Sequence, residues 1–351
     1  MSLALESPDG RVLVTELGAG RRRLAVELAS GDEAERMICE TRYPVELIRQ
    51  VLTVRGLAWL CDELARDEDR AYVERYLRYG MFGYVEEERF AGKRLLDFGC
   101  GAGASTMILC RMLPATEIVG VELLEDHVEV AKARAHFYGA ESIRFLVSPD
   151  PEHLPPDIGS FDFVSFSAVF EHLLPSERPV VMAKIWSVLR PGGVLFVNQT
   201  PHRWFPHEYH TTGLPLVNYL PRSLALQAAR RLSKRIRRGE SWEELLRKGI
   251  RGATETEVLN AIRSASDATP ILLSPSAMKL REKVDLWYAS SMAGKRPMRA
   301  KRLARLAFKA ISHATGHDFT PSLELAIFKA RAGSGRHPSR PARPASGDGS
   351  L

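Results

Sequence analysis

The stretch KRLLDFGCGAGASTMIL, Lys93 to Leu109, decides the fold. An apolar run, RLLDF, ends on the acid Asp97 just before Phe98. Gly99, Gly101 and Gly103 follow at every second position, and a helix-like start comes next. Glycines so placed let the chain turn sharply from strand to helix and let backbone approach a ligand without Cβ clashes. Read as G-x-G-x-x-A, Gly99, Gly101 and Ala104 satisfy a loose dinucleotide fingerprint. A Walker-type phosphate loop is excluded, because no Gly-Lys-Ser/Thr follows.

The acids narrow the choice. Asp97 stands two residues before Gly99, at the carboxyl end of the strand, where a carboxylate repels a pyrophosphate and attracts an ammonium. Glu122 ends the next strand-like run, EIVGVE, where an acid accepts ribose hydroxyls in nucleotide-binding sheets. Asp150, after the third strand, is placed to take an adenine amino group.

Outward from the glycine stretch, strands and helices alternate. RLLDF, Glu117–Glu122, Ile143–Val147, Phe161–Ser167 and Val194–Gln199 read as strands; Ser105–Met112, Glu125–Phe137 and Pro175–Leu189 read as helices. Strands apolar on both faces and separated by helices predict a parallel sheet covered on both sides, a doubly wound α/β domain. Before it, Arg11–Leu17 and Leu24–Leu28 alternate around Gly18–Gly20 as a hairpin, and apolar spacing from Pro44 to about Tyr84 is helical. Residues 1–90 are therefore read as an N-terminal hairpin plus helical cap. After Gln199, Pro201–Pro221 reads as a long ordered loop and Leu224–Ile262 as basic amphipathic helices. Ile271–Ser276 and Lys283–Ser290 have strand-like runs, and Ser322–Arg331 reads as a final buried strand. The tail 332–351 has almost nothing apolar to bury and is expected to be disordered.

Composition is that of an ordinary soluble globular chain: 351 residues, 45% hydrophobic and 26% charged. The beginning, MSLALESPDG, lacks the basic flank and apolar core of a secretory signal, and no window has the length of apolar residues a membrane span needs. Cys39, Cys61, Cys100 and Cys110 show neither a CxxC pair nor zinc spacing, so a reducing, cytoplasmic setting without disulfides is expected. The net charge of +6 is concentrated late, in RRLSKRIRR (Arg230–Arg238) and in Lys295–Lys309.

At this point residues 93–200 resemble the class I SAM-dependent methyltransferase domain, of the type-11 or ubiquinone-methyltransferase-like sort. LLDFGCGAG resembles its first motif, GVE its second, SPDPEHLP its adenine-side loop, SFDFVSFSAVFEHL its fourth motif, and LRPGGVLFV the turn into its fifth strand. The resemblance covers about a third of the chain. It implies a mostly parallel, seven-stranded Rossmann-like sheet in a methyltransferase domain over 91–331, with a helical insertion at 211–270 acting as a substrate lid. The implied cofactor is S-adenosyl-L-methionine (SAM). Asp97 and the Gly99–Cys100–Gly101–Gly103 loop would hold its methionine end, Glu122 and Leu123 the ribose and its neighbourhood, Asp150 the adenine, and Ser167 the end of the fourth strand beside it. Pro149 and Pro151 depart from the pattern and stiffen the adenine-side loop.

In an open α/β sheet the reacting atoms lie beyond the carboxyl ends of the strands. There AVFEHLLP and NQTPHRWFPHEYH bring Glu171, His172, His202, His207, Glu208 and His210 together. Methyl transfer to a hydroxyl needs positioning and a base. His172 is the first choice and His210 the second, with Glu208 as orienter or substrate-hydroxyl ligand; His172 reads equally as a helix cap. Glu171, His202, Trp204 and Tyr209 are candidates for holding the acceptor. LPLVNYLP (Leu214–Pro221) and SWEELLRKGIRG (Ser241–Gly252) are expected to wall its site, and Trp204, Phe205, Tyr209 and Tyr219 either stack on it or pack the loop. HEYH lacks the His-Glu-x-x-His spacing of a helical zinc motif, and no metal is expected. The fourth strand is not followed by Asp/Asn-Pro-Pro-Tyr/Phe, which disfavours amide and exocyclic-amine targets. A small polar, glycan-like, quinone-like or lipid-linked acceptor methylated on oxygen is the favoured reading, with peripheral membrane contact through the basic helices and no support for nucleic acid. The alternative is a catalytically silent SAM-binding or interaction protein that docks a membrane or nucleic acid through those helices.

Overall fold

The computed structural model describes residues 2–29, 37–150, 152–264, 269–291 and 298–330. The expectation for the tail at 332–351 lies outside the described residues.

The chain begins with a four-stranded antiparallel meander, β1 (Ser2–Ser7), β2 (Gly10–Gly18), β3 (Arg21–Leu28) and β4 (Met37–Thr41). The hairpin expected at 11–28 is its centre. A lone hairpin buries too little to be stable; here two further strands extend it. Leu5, Val12, Val14, Leu24 and Val26 form a buried face on α1 (Val45–Arg55) and α2 (Leu57–Glu68). Leu47, Ile48, Val51, Leu52, Leu57, Leu60 and Leu64 supply the helical side of that core, at the i, i+3, i+4 spacing of amphipathic helices. Helix α3 (Val73–Phe82) follows and packs on the main sheet through Leu77, Met81 and Phe82.

The main sheet has β5 (Arg94–Phe98), β6 (Glu117–Glu122), β7 (Arg144–Val147), β8 (Phe161–Ser167) and β9 (Leu189–Pro201) in parallel. Between them run α4 (Ala104–Met112), α5 (Glu125–Tyr138) and α6 (Glu177–Val188). A short hairpin, β10 (His207–Glu208) with β11 (Leu214–Pro215), leads to α7 (Arg222–Leu232), α8 (Trp242–Arg247) and α9 (Glu255–Arg263). The chain then returns to the sheet in β12 (Pro270–Leu272), passes through α10 (Lys283–Ser290) and α11 (Met298–Thr315), and ends in β13 (Ser322–Lys329). The strand order is β12-β13-β9-β8-β5-β6-β7, with β13 antiparallel to both its neighbours. This is the seven-stranded, mostly parallel, Rossmann-like α/β sheet, and the order reverses direction at β5, beside β8.

Two expectations need correction. Lys283–Ser290, read as a strand from its alternating Val284 and Leu286, is helix α10. Its Asp285 carboxylate receives Arg305 at 2.5 Å and Lys309 at 2.8 Å from α11, while Leu286 enters the core around α3. The strand read at Ile271–Ser276 is confined to Pro270–Leu272.

One buried cation joins the meander-and-helix cap to the sheet. The Arg134 side chain of α5 has no exposed surface. It pairs with the Glu63 carboxylate at 3.0 Å and donates to the backbone carbonyls of Ala102 and Glu63, each at 3.1 Å. Removing one partner of such a pair leaves the other charge buried. Arg134→Ala is expected to lower unfolding stability by roughly 3 kcal/mol or more, measured by urea denaturation. An unchanged midpoint would show that the cap is held elsewhere.

On β13, Glu324 is buried with no cationic partner among the described residues, and burial lifts its carboxyl from 4.5 to about 8, offset by a hydrogen bond from the Gln199 amide. The unfolded chain releases this proton near 4.5 and the folded chain near 8, so the folded state binds more protons between them and loses stability as pH rises through that window. Glu324→Gln should therefore stabilise the protein progressively from pH 5 to pH 8, at up to about 1.4 kcal/mol per pH unit. A thermal-melt difference independent of pH would contradict this.

Candidate active site

Asp97 closes β5 and turns into the fold. It is buried, and its Oδ2 accepts hydrogen bonds from Ser105 Oγ at 2.9 Å and Thr106 Oγ1 at 2.7 Å at the start of α4. Burial raises its pKa, and these hydroxyls oppose the rise. The carboxylate thus braces the glycine loop; it is not among the residues lining the cleft.

The loop itself reaches the cleft through Gly99, Cys100, Gly101 and Ala102. Gly103 has φ +85°, and a Cβ there would stand 2.7 Å from the Ala131 Cβ, so only glycine lets α4 begin this close to α5. Nothing lies within 4 Å of where a Cβ on Gly101 would stand. The Gly101 amide donates to Glu122 Oε2 at 2.9 Å, and Glu122 Oε1 accepts from the Leu123 amide at 2.7 Å. Glu122 therefore holds the loop and lines the cleft at once. Beside it lies a cavity of about 310 Å³ with apolar walls from Phe98, Val121, Leu123, Val169, Leu173 and Val181. An acid at the mouth of an apolar slot, with no basic residue in the loop 97–105, fits a nucleoside without phosphate. Ser167 lines the adjoining cleft, as its position at the end of β8 implies. Asp150 stands away from both cavities. It accepts from the His153 ring and the Glu152 amide, and the His153 bond is the main cause of its lowered pKa. Ser148 and Leu123 take the place expected for it on the slot wall.

Across the cleft, the ends of β8 and β9 carry strained backbone, with φ of +55° at Ala168 and +60° at Gln199. Such strain in non-glycine residues gathers at functional sites. Glu171 and His172 follow on one turn of 3-10 helix. The His172 Nδ1 is 2.7 Å from the Arg247 carbonyl, which can only accept, so Nδ1 carries a proton, and in the neutral ring the lone pair is on Nε2. Glu171 is fully buried; Thr200 Oγ1 donates to its Oε2 at 2.9 Å, and its Oε1 has no hydrogen-bond partner. Burial raises the Glu171 pKa, with His172 pulling the other way. The His210 ring lies 5.5 Å from that of His172, and burial, with His172 next, lowers its pKa to about 4. Sequence reasoning named all three residues. The structure adds that they form one cluster whose ligating atoms lie within 4.8 Å of one another.

The other candidates are placed differently. Glu208, expected as orienter or hydroxyl ligand, is buried and saturated. Its two oxygens accept the amides of His210, Thr211 and Thr212 and the Thr212 hydroxyl at 2.6–2.9 Å. It fixes the turn that carries His210. His202 packs between β9 and β13, with Nδ1 3.2 Å from the Thr320 carbonyl, and burial lowers its pKa. His207 is exposed on β10. Trp204 and Tyr219 stack on each other at 6.0 Å, Tyr209 donates to the Pro321 carbonyl, and Phe205 packs on Phe308 and Phe319. These aromatics anchor the loop rather than line the cleft.

The cleft walls that sequence missed come from both flanks. Arg55, Trp59, Glu63 and Arg66 project from the cap, and Arg235 and Glu240 from the segment after α7. Within the stretches expected as walls, Ser241, Glu243 and Glu244 join Arg247 and Lys248, whereas Leu214–Pro221 contribute none. Arg247 is clamped in place by Glu177, at 2.5 and 2.6 Å. Their spacing carries no signal, because only the tertiary fold brings α2 and α8 to one cleft. Among the described residues no helix is long and apolar enough to cross a membrane.

Comparison with known proteins agrees with this geometry. A family described as a methyltransferase domain matches residues 95–193. The chain is 29% identical over 110 residues to the carboxy-S-adenosyl-L-methionine synthase of Hydrogenovibrio crunogenus, covering 31% of this chain and 43% of that protein. It is 31% identical over 133 residues to the phthiotriol/phenolphthiotriol dimycocerosates methyltransferase of Mycobacterium leprae, covering 38% and 45%. To the demethylmenaquinone methyltransferase of Lactococcus lactis it is 29% identical over 131 residues, covering 37% and 51%. The chain thus spans about half the length of the curated relatives it matches. The glycine loop and the acid after β6 lie within the matched domain, whose cofactor is S-adenosylmethionine. Over residues 95–193 the chain carries a methyltransferase domain similar to those of class I SAM-dependent methyltransferases.

Proposed function

We propose that this protein transfers a methyl group from SAM to an oxygen of a small polar, glycan-like, quinone-like or lipid-linked acceptor. The observation that carries the reading is one continuous cleft. Gly99, Glu122 and His172 border both the apolar slot and the wider cleft, so a nucleoside on Glu122 and an acceptor at His172 face each other. Bound SAM supplies an electrophilic methyl on a sulfonium. The chain's own residues supply orientation and proton removal. Glu122 takes the ribose hydroxyls, the loop at 99–103 takes the methionine end, and Glu171 and His210 frame the acceptor. The His172 Nε2 lone pair accepts the hydroxyl proton as the oxygen attacks, and the Arg247 carbonyl stabilises the resulting imidazolium through Nδ1–H.

Fold and loop alone define the cofactor and not the reaction, since one relative is named for making carboxy-SAM and others for methylation. The Glu171–His172–His210 cluster, together with Arg235, Glu240, Arg247 and Lys248 on the cleft wall, supports methyl transfer here. Relatives named for demethylmenaquinone and for dimycocerosates support a lipid-linked acceptor. So does α11: Leu303 and Leu306 are exposed beside Arg299 and Arg302, an arrangement suited to peripheral membrane contact. Its Arg305 and Lys309, by contrast, face inward in ion pairs with Asp285, so the basic run is less open than its sequence implies.

Glu122→Ala should weaken SAM binding on the order of 100-fold in calorimetric titration, because two hydroxyls lose a charged acceptor; wild-type affinity would remove the cofactor assignment. His172→Ala should bind SAM normally while transfer of labelled methyl into fractionated cell extract falls on the order of 100-fold or more. Undiminished transfer in that variant would leave His172 with a purely structural role.

A further inference from the structure

We propose that Glu171, His172 and His210 form a binding site for one divalent first-row transition-metal cation at the acceptor end of the cleft. The donors are two imidazole nitrogens and one carboxylate oxygen, brought from the turn after β8 and the turn after β10, with ligating atoms all within 4.8 Å of one another. Two donors on one ion, at bond lengths of about 2.0–2.2 Å, stand roughly 3–4 Å apart. Glu171 Oε1 and His172 Nε2 are 3.8 Å apart, too far for a hydrogen bond and suited to sharing an ion.

Independent observations point to a ligand at this spot. Glu171 is fully buried, yet its Oε1 has no hydrogen-bond partner among the described residues, while Oε2 is held by Thr200. A buried carboxylate oxygen left unpaired is costly. The neighbouring cation does not meet that need: the Arg178 guanidinium donates to the Leu173 and Gly252 carbonyls. The surroundings are those of a metal site's outer layer. The His172 Nδ1–H on the Arg247 carbonyl turns Nε2 toward the cluster, Thr200 orients the carboxylate, and Glu208 fixes the backbone of His210. Gly249, at φ +91°, presses on the cluster: a Cβ there would stand 2.8 Å from His210 Cδ2 and 3.1 Å from Glu171 Cγ. Backbone packed this tightly keeps the ring and the carboxylate together.

Three protein donors leave coordination positions open toward the cleft. An acceptor hydroxyl on the cation loses its proton to solvent more readily, because the ion stabilises the alkoxide. The oxygen then forms a bond to the methyl carbon as the sulfur–carbon bond breaks, its electron pair staying on sulfur and cancelling the sulfonium charge. In this form His172 is a ligand in place of a base. The chemistry rests on the methyltransferase reading; the site itself does not.

The test is titration of chelator-treated full-length protein with Mn2+, followed by electron paramagnetic resonance, and with Co2+, followed by visible absorption. Saturation at one ion per chain is expected. Glu171→Gln and His210→Ala should each weaken binding at least about tenfold, with circular dichroism confirming that they fold. Gly249→Ala should weaken it as well, by spreading the cluster. No saturable binding, or equal binding in wild type and both ligand variants, overturns the site. SAM binding measured in parallel separates the two claims. Metal without SAM refutes the methyltransferase reading and keeps the site, and SAM without metal refutes the site alone.

Discussion

One buried guanidinium, that of Arg134, ties the cap to the glycine loop. Arg134 touches the carbonyl of the glycine loop, at Ala102, and both the backbone and the carboxylate of Glu63 on the cap. Glu63 is in turn paired with Arg55 at 3.1 Å, and both line the cleft. The cap is therefore not an appendage. Its helices form one wall of the cleft, and an interior cation binds them to the glycine loop on the same cleft. Apolar contacts from α1 and α2 to Ala102 and Val130 complete the seam.

The parallel sheet supplies the opposite constraint. Right-handed crossovers deliver the carboxyl ends of the parallel strands β5 to β9 to one edge, so the glycine loop, Glu122, Ser167 and the Glu171–His172 turn face one opening. The chemistry of that edge is divided in two. On the β5–β6 side an acid and open backbone suit a nucleoside, and on the β8–β9 side buried nitrogen and oxygen donors suit a reacting hydroxyl. Strained backbone at Ala168 and Gln199 marks the second half, where the strands turn abruptly to present their side chains.

The sheet was legible because its signals are local. RLLDF, EIVGVE and FDFVSFS are apolar on both faces, and Gly99 to Gly103 punctuate the strand-to-helix turn in one short window. The cap was half legible: the β2–β3 hairpin is written in alternation, whereas β1 and β4 are short strands defined by their pairing partners. Residues 283–290 were misread because Val284 and Leu286 satisfy a two-residue period, while the ion pairs that settle α10 come from α11, twenty residues on. At the site, Glu122, His172 and His210 were nameable from position. That Glu208 is consumed by its own turn, that Asp150 pairs with His153, and that Arg247 and Gly249 complete the acceptor cluster are facts of tertiary packing, with no signature in spacing.

In the proposed function, a nucleoside on Glu122 and an acceptor at the Glu171–His172–His210 cluster share one cleft. A crystal structure of the full chain with S-adenosylhomocysteine tests it most directly. The account predicts ribose hydroxyls on the Glu122 carboxylate, adenine in the slot between Leu123, Ser148 and Val169, and sulfur turned toward the cluster. A ligand bound with its sulfur facing away from Glu171, His172 and His210 would contradict it.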